Sequence, residues 1–147
     1  MSDKLDVVGI GNAMVDAIIP SNQSEIEKHE INRDSMNLID EGLKNNLHES
    51  YSIREMAGGG SLGNSMFGIT SFGGNGSFIG KIKNDEIGVY LQKDMIREGL
   101  KFPLGFTSPD ISTGCCTIFV EEDGTRTMCT FLGCLLYTSD AADEMRR

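Results

Sequence analysis

Hydrophobic residues arrive along this chain in short bursts, and the spacing within each burst predicts its element. Residues 6–11, DVVGIG, are apolar and end in glycines, the pattern of a buried first strand in a parallel sheet. The extended run continues through Ala17, Ile18 and Ile19 and stops at Pro20. Residues 25–30 are polar and read as a single helical turn, and SMNLI at 35–39 reads as a short strand. Asp40 is placed to cap a polar helix through Leu47. Residues 53–56 then lead into a run of glycines.

After that run, Ser61 is the expected cap of a helix that carries Leu62, Met66, Ile69 and Phe72 toward a core. Gly63 and Gly68 fall inside it, where each costs about 1 kcal/mol relative to Ala, so close packing is the expected reason for them. Glycines 73, 74 and 76 end it, and residues 77–81 form the next strand. Asn84 is the expected cap of a further helix, with Asp85 and Glu86 in its first turn. Ile87, Leu91 and Met95 share one face of that helix, and Gly99 stops it. A strand–helix–strand–helix rhythm argues for an α/β fold with parallel strands. From Gly114 the rhythm changes: residues 115–121 are apolar and β-branched, Asp123-Gly124 signals a tight turn, and residues 125–131 alternate. This hairpin is expected to lie outside the parallel sheet.

Composition narrows the function classes. At 147 residues the chain is long enough for one domain with a real core. A net charge of -9 with no basic stripe argues against a nucleic-acid partner. No apolar run is long enough to span a bilayer, and residues 1–6 lack the pattern of a secretory leader, so the expectation is a cytoplasmic protein without a membrane partner. Cys115, Cys116, Cys129 and Cys134 lack zinc-ligand spacing, and His29 and His48 complete no metal constellation; reduced thiols on buried strands are expected, with no metal site.

Three glycine motifs compete for a ligand. Gly9 and Gly11 open a dinucleotide fingerprint, but its third position is Met14. Residues 75–82, NGSFIGKI, resemble a phosphate-binding loop that fails at Asn75 and at Ile82. The third is GGGSLGN at 58–64. Consecutive glycines before a helix leave backbone N–H groups open to a ligand oxygen, and Asn64 adds a donor and an acceptor one turn in. Without Lys or Arg it suits hydroxyls better than phosphates; a plain glycine-rich turn explains it equally well. Asn12 and Asp16 follow the first strand, where ligands of open α/β sheets bind, and a carboxylate with an amide clamps neighbouring sugar hydroxyls. Taken alone, an Asn turn and a surface Asp account for them better.

Taken in order, the segments DVVGIGNAMVDAI (6–18), SMNLID (35–40), GGSLGN (59–64), FGGNGSFIGKIKNDEIG (72–88) and STGCCTIFVEEDGTRTMCTFLG (112–133) resemble the ribokinase-like, or PfkB, family of sugar and nucleoside kinases. The resemblance covers nearly all of residues 5–133. The first two segments look most like bacterial adenosine kinases or carbohydrate kinases of unspecified substrate. It implies a Rossmann-like parallel sheet flanked by helices, with a small β lid built from about 17–39 and 113–132. It further implies that Asn12, Asp16, Gly59, Gly60 and Asn64 bind the hydroxyls of a nucleoside or sugar, with Met128 and Thr130 facing them from the lid. Lys83 stands where the family commonly has glycine.

Residues 134–144, CLLYTSDAADE, resemble instead one reading frame of a transposon-end adapter used in preparing sequencing libraries. Residues 134–147 are therefore set aside as a non-native tail, leaving 1–133 as the N-terminal part of the kinase domain, a truncated fold. The family's catalytic GAGD, whose Asp is the base and whose glycines form the anion hole, does not occur. The expectation is the substrate-binding half of an enzyme that uses magnesium-ATP when whole, inactive by itself and binding no cofactor. The alternative is a free-standing sugar- or nucleoside-binding module without catalysis. The motifs choose neither between adenosine and a sugar nor between a monomer and an oligomer.

Overall fold

Two sheets divide the strands. In the computed structural model, which describes residues 4–137, β1 (Val7–Ile10) and β5 (Gly76–Ile79) form a parallel pair in register Val7↔Gly76 through Ile10↔Ile79. The other five strands form one sheet, in the order β3 (Met36–Leu38), β7 (Arg126–Phe131), β6 (Gly114–Val120), β2 (Met14–Pro20), β4 (Glu55–Gly59). Here β2–β6 and β3–β7 pair in parallel, and β2–β4 and β6–β7 antiparallel. The hairpin thus lies outside the parallel pair, as its sequence predicts. The first apolar burst and the Ala17–Ile19 run belong to different sheets.

Alternation along β2 organises the molecule. Ala13, Val15, Ala17 and Ile19 are buried, while Met14, Asp16 and Ile18 face the other way and are half-buried. Ala13 and Val15 join the core made by α3 (Ser61–Ser71), α4 (Glu86–Arg97) and β5, with Met66, Phe78, Leu91 and Met95. Ile19 joins a second core with Ile26 of α1 (Gln23–Glu27), Leu47 of α2 (Glu41–Ser50), Phe119 and Cys129. One strand therefore ties the five-stranded sheet to both apolar clusters.

Asp40 caps α2 as expected, accepting from the Leu43 N–H at 2.7 Å. Four other local expectations differ. α3 is capped not by Ser61 but by Gly60, at φ 80° and with no side-chain cap bond, because the chain turns from β4 into the helix through a conformation that only glycine adopts freely. α4 is capped by Asp85 rather than Asn84; its carboxylate takes the Gly88 N–H and also both the N–H and the hydroxyl of the buried Thr113, partners that only the tertiary fold supplies. Phe72 lies just past the last turn of α3 and is 94% exposed, not in the core. A Cβ on Gly63 or Gly68 would meet nothing within 4 Å, so close packing does not account for these two glycines and nothing in the structure explains them.

The stretch set aside as foreign begins inside the fold. Cys134 and Leu135 are buried in a 3₁₀ turn (Gly133–Tyr137), where the Cys134 N–H donates to Ser112 C=O at 2.9 Å and Leu135 fills the space beside Gly114. Residues 138–147 lie outside the described residues. All four cysteines are free and buried.

Candidate functional site

Asn12 sits exposed in the short turn between β1 and β2, held by the fully buried Ala13 beside it. Asp16 lies in mid-β2, paired with Ala57 of β4 on one side and Cys116 of β6 on the other. Because paired residues of a sheet point to the same face, the register extends this row to Thr130 of β7 and Leu38 of β3. The neighbouring row holds Ile18, Ile118, Met128 and Met36. Asp16 is thus a carboxylate set in a largely apolar sheet face that also carries Thr130 and, beside Ile18, Glu55; that face is open, with Leu38 65% and Met36 56% exposed.

Half-burial pushes the Asp16 carboxyl above the ordinary carboxylate range. Desolvation is the sole cause, since no hydrogen bond or ion pair among the described residues compensates the charge. A half-buried acceptor without a donor is chemically prepared for hydroxyl groups supplied from outside.

The glycine segment closes on this carboxylate. A Cβ on Gly59 would lie 2.5 Å from the Cγ and both oxygens of Asp16, so any side chain there would displace the carboxylate. A Cβ on Gly60 would meet the Asn12 carbonyl oxygen at 3.4 Å. Gly60 C=O in turn accepts the Asn64 N–H at 2.9 Å, which places Asn64 in the first turn of α3 with its side chain exposed. Contacts therefore link Asn12 to Gly60, Asp16 to Gly59 and Gly60 to Asn64, although no hydrogen bond joins the Asp16 and Asn64 side chains. Thr130 donates to the Cys116 sulfur at 3.4 Å and shares the row of Asp16, while Met128 lies one row away on the same face. Sequence reasoning missed Cys116 and Leu38. Their periodicity marks them as strand residues, but only the cross-strand register aligns them with Asp16.

Among the described residues no group of three or more His, Cys, Asp or Glu side chains could hold a metal ion, and no helix is long and apolar enough to cross a membrane. A polar cavity of about 380 Å³ between α2 and the start of α4, bordered by Glu41, Lys44, His48 and Glu86, contains none of the five residues.

Residues 4–145 match the family model described as pfkB family carbohydrate kinase. Among solved structures, a probable sugar kinase protein from Rhizobium etli is 32% identical with a TM-score of 0.77, over 90% of this chain and 40% of that one. Adenosine kinase from Sinorhizobium meliloti is 36% identical with a TM-score of 0.76, over 91% of this chain and 41% of that one. Adenosine kinase from Anopheles gambiae, at 22% identity and a TM-score of 0.77, over 95% of this chain and 42% of that one, shares the fold. The chain thus spans about two fifths of the length of these structures. The comparison with curated protein sequences returns no match.

Proposed function

Because the chain belongs to the pfkB family of carbohydrate kinases, we propose that it forms the substrate-binding part of an ATP-dependent kinase that phosphorylates the hydroxymethyl group of adenosine or a related nucleoside or sugar. In this reading Asp16 accepts hydrogen bonds from neighbouring sugar hydroxyls, and Asn12 and Asn64 bind the same ring. Gly59 and Gly60 let the backbone approach it. Met128 and Thr130 face the ligand from the hairpin.

The observation that carries the reading is the unpartnered, half-buried Asp16 carboxylate pressed against Gly59 within a largely apolar face. A ligand matched to such a surface has hydroxyls at one end and a flat apolar body at the other, which favours a nucleoside over a bare sugar. A hydrogen bond to that charged acceptor is worth about 1.5–3 kcal/mol.

The whole enzyme would use ATP with magnesium, and its base and anion hole would be a GAGD segment that this sequence does not contain. Among the described residues no group of three or more His, Cys, Asp or Glu side chains gathers that could hold a metal ion. In this reading their work is to bind and orient the acceptor sugar, and phosphate transfer from magnesium-ATP by this chain alone is not expected.

Calorimetric titration of the chain with adenosine, ribose and fructose tests the proposal. Adenosine should bind most tightly. Asp16→Ala should weaken it at least about tenfold, the loss of one charged hydrogen bond. Equal affinity in wild type and variant would remove Asp16 from the site and leave only the family assignment.

A further inference from the structure

The strand that carries Gly59 lies at an edge of its sheet. β4 pairs with β2 on one side and, among the described residues, has no strand on the other. An edge strand exposes the N–H and C=O of every second residue, an invitation to pair with another chain. On β4 two of these groups are met by side chains of α4. The Tyr90 hydroxyl donates to Met56 C=O, and the Asp94 carboxylate accepts the Gly58 N–H at 2.8 Å. Met56 and Gly58 are two residues apart, so their backbone groups face the same edge; Tyr90 and Asp94 are four apart, one turn of α4. A helix turn thus takes the place of a neighbouring strand.

The contact is built tightly. Asp94 is 5% exposed, and its second oxygen is paired with Arg97. A Cβ on Gly58 would lie 2.7 Å from the Phe67 ring of α3 and 3.1 Å from the Asp94 carboxylate, so both helices press on this glycine. One residue further on, Gly59 abuts Asp16; two further on, Gly60 turns the chain into α3. Any movement at Gly58 passes directly into the segment that faces the Asp16 carboxylate.

We propose that Asp94 and Tyr90 are positioning residues for the acceptor site, holding the open edge of β4 so that Gly59, Gly60 and the first turn of α3 are preorganised around Asp16. The role rests on the substrate-site reading above, and neither side chain touches the ligand. A preorganised segment spends none of the binding free energy on ordering itself, so loosening it weakens affinity without deleting a ligand contact.

The test uses the 147-residue chain and the variants Asp94→Ala, Asp94→Asn and Tyr90→Phe, with amide hydrogen exchange and adenosine titration on each. In Asp94→Ala, amides 58–64 should exchange about tenfold faster or more, with β6 and β7 unchanged, and adenosine affinity should fall about tenfold, the equivalent of one buried N–H left unpaired. Asp94→Asn should restore both toward wild type, because its amide oxygen still accepts the Gly58 N–H; a residue that merely filled volume would show no such dependence on an acceptor. Tyr90→Phe should loosen residues 56–60 alone, and it decides the matter if Asp94→Ala does not fold. Exchange at 56–64 that stays at wild-type rates, or that rises equally across all strands, overturns the inference. A wild-type chain that binds neither adenosine nor ribose sinks the substrate reading, while the exchange pattern still decides the positioning.

Discussion

Gly59 and Asp16 share a space too small for one more carbon. In Gly59→Ala the new methyl group meets the whole Asp16 carboxyl at 2.5 Å, and one of the two must move. Overpacking of this kind costs about 1–3 kcal/mol, and here the displaced group is the proposed hydroxyl acceptor. Gly59→Ala is therefore expected to lose adenosine binding in a titration and to melt at a lower temperature. Asp16→Asn should separate the two effects. Burial raises the Asp16 pKa above its ordinary 3.8, so in the pH window between the two values the folded chain holds the proton more tightly than the unfolded one, and stability falls as pH rises through that window. Above that window the penalty is fully present. Asp16→Asn should therefore melt above wild type at pH 7, with the difference shrinking as pH falls through the carboxylate range. Its affinity for adenosine should be lower, since it has lost the charged acceptor. Wild-type affinity itself should decline as pH falls into that range.

At the level of elements, α3 is held at its start by a glycine rather than by a side-chain cap, and along its length it carries two further glycines that touch nothing at the Cβ position. A methyl group added at Gly68 enters open space, while the helix gains the difference in propensity between Gly and Ala. Gly68→Ala should stabilise the chain by about 1 kcal/mol, read as a rise in denaturation midpoint at constant slope. A fall instead would mean that the position packs against something the described residues do not include. α4 is built differently. Its cap, Asp85, ties the helix to the start of β6 through Thr113, and one turn of its body ties it to the edge of β4. The two elements that flank the proposed site are thus referenced to one helix.

On the scale of the whole molecule, the boundary near residue 133 matters most. Read as sequence, everything from Cys134 onward is foreign; in the fold, Leu135 is buried against Gly114, where β6 begins. Leu135→Ala should therefore cost about 2–5 kcal/mol, the usual price of truncating a buried leucine, measured by denaturant unfolding. Deleting residues 138–147 should leave the midpoint unchanged if the adapter reading of that stretch is right. Elsewhere, apolar side chains reach the surface along β1. β1 pairs with β5 alone among the described strands, and its Val8 and Ile10 are exposed.

The amino-acid pattern by itself determined the α/β class, the hairpin around Asp123-Gly124, the cap at Asp40 and the glycine segment before α3. Each depends on neighbours within a few residues, through alternation, turn chemistry or capping. It also carried the family assignment, because ordered motifs survive in a linear reading. What only the tertiary structure decided depends on partners far apart in the chain. Asp85 outcompetes Asn84 as a cap because Thr113 adds two further donors. Cys116 and Leu38 join the row of Asp16 through strand register. Asp94, an unremarkable polar residue on an amphipathic helix, becomes a buried acceptor because the edge of β4 lies beside it. Local preferences are weak, about 1 kcal/mol each, whereas a buried donor or acceptor left without a partner costs more. Where the two compete, the long-range partner determines the outcome, and linear spacing does not record it.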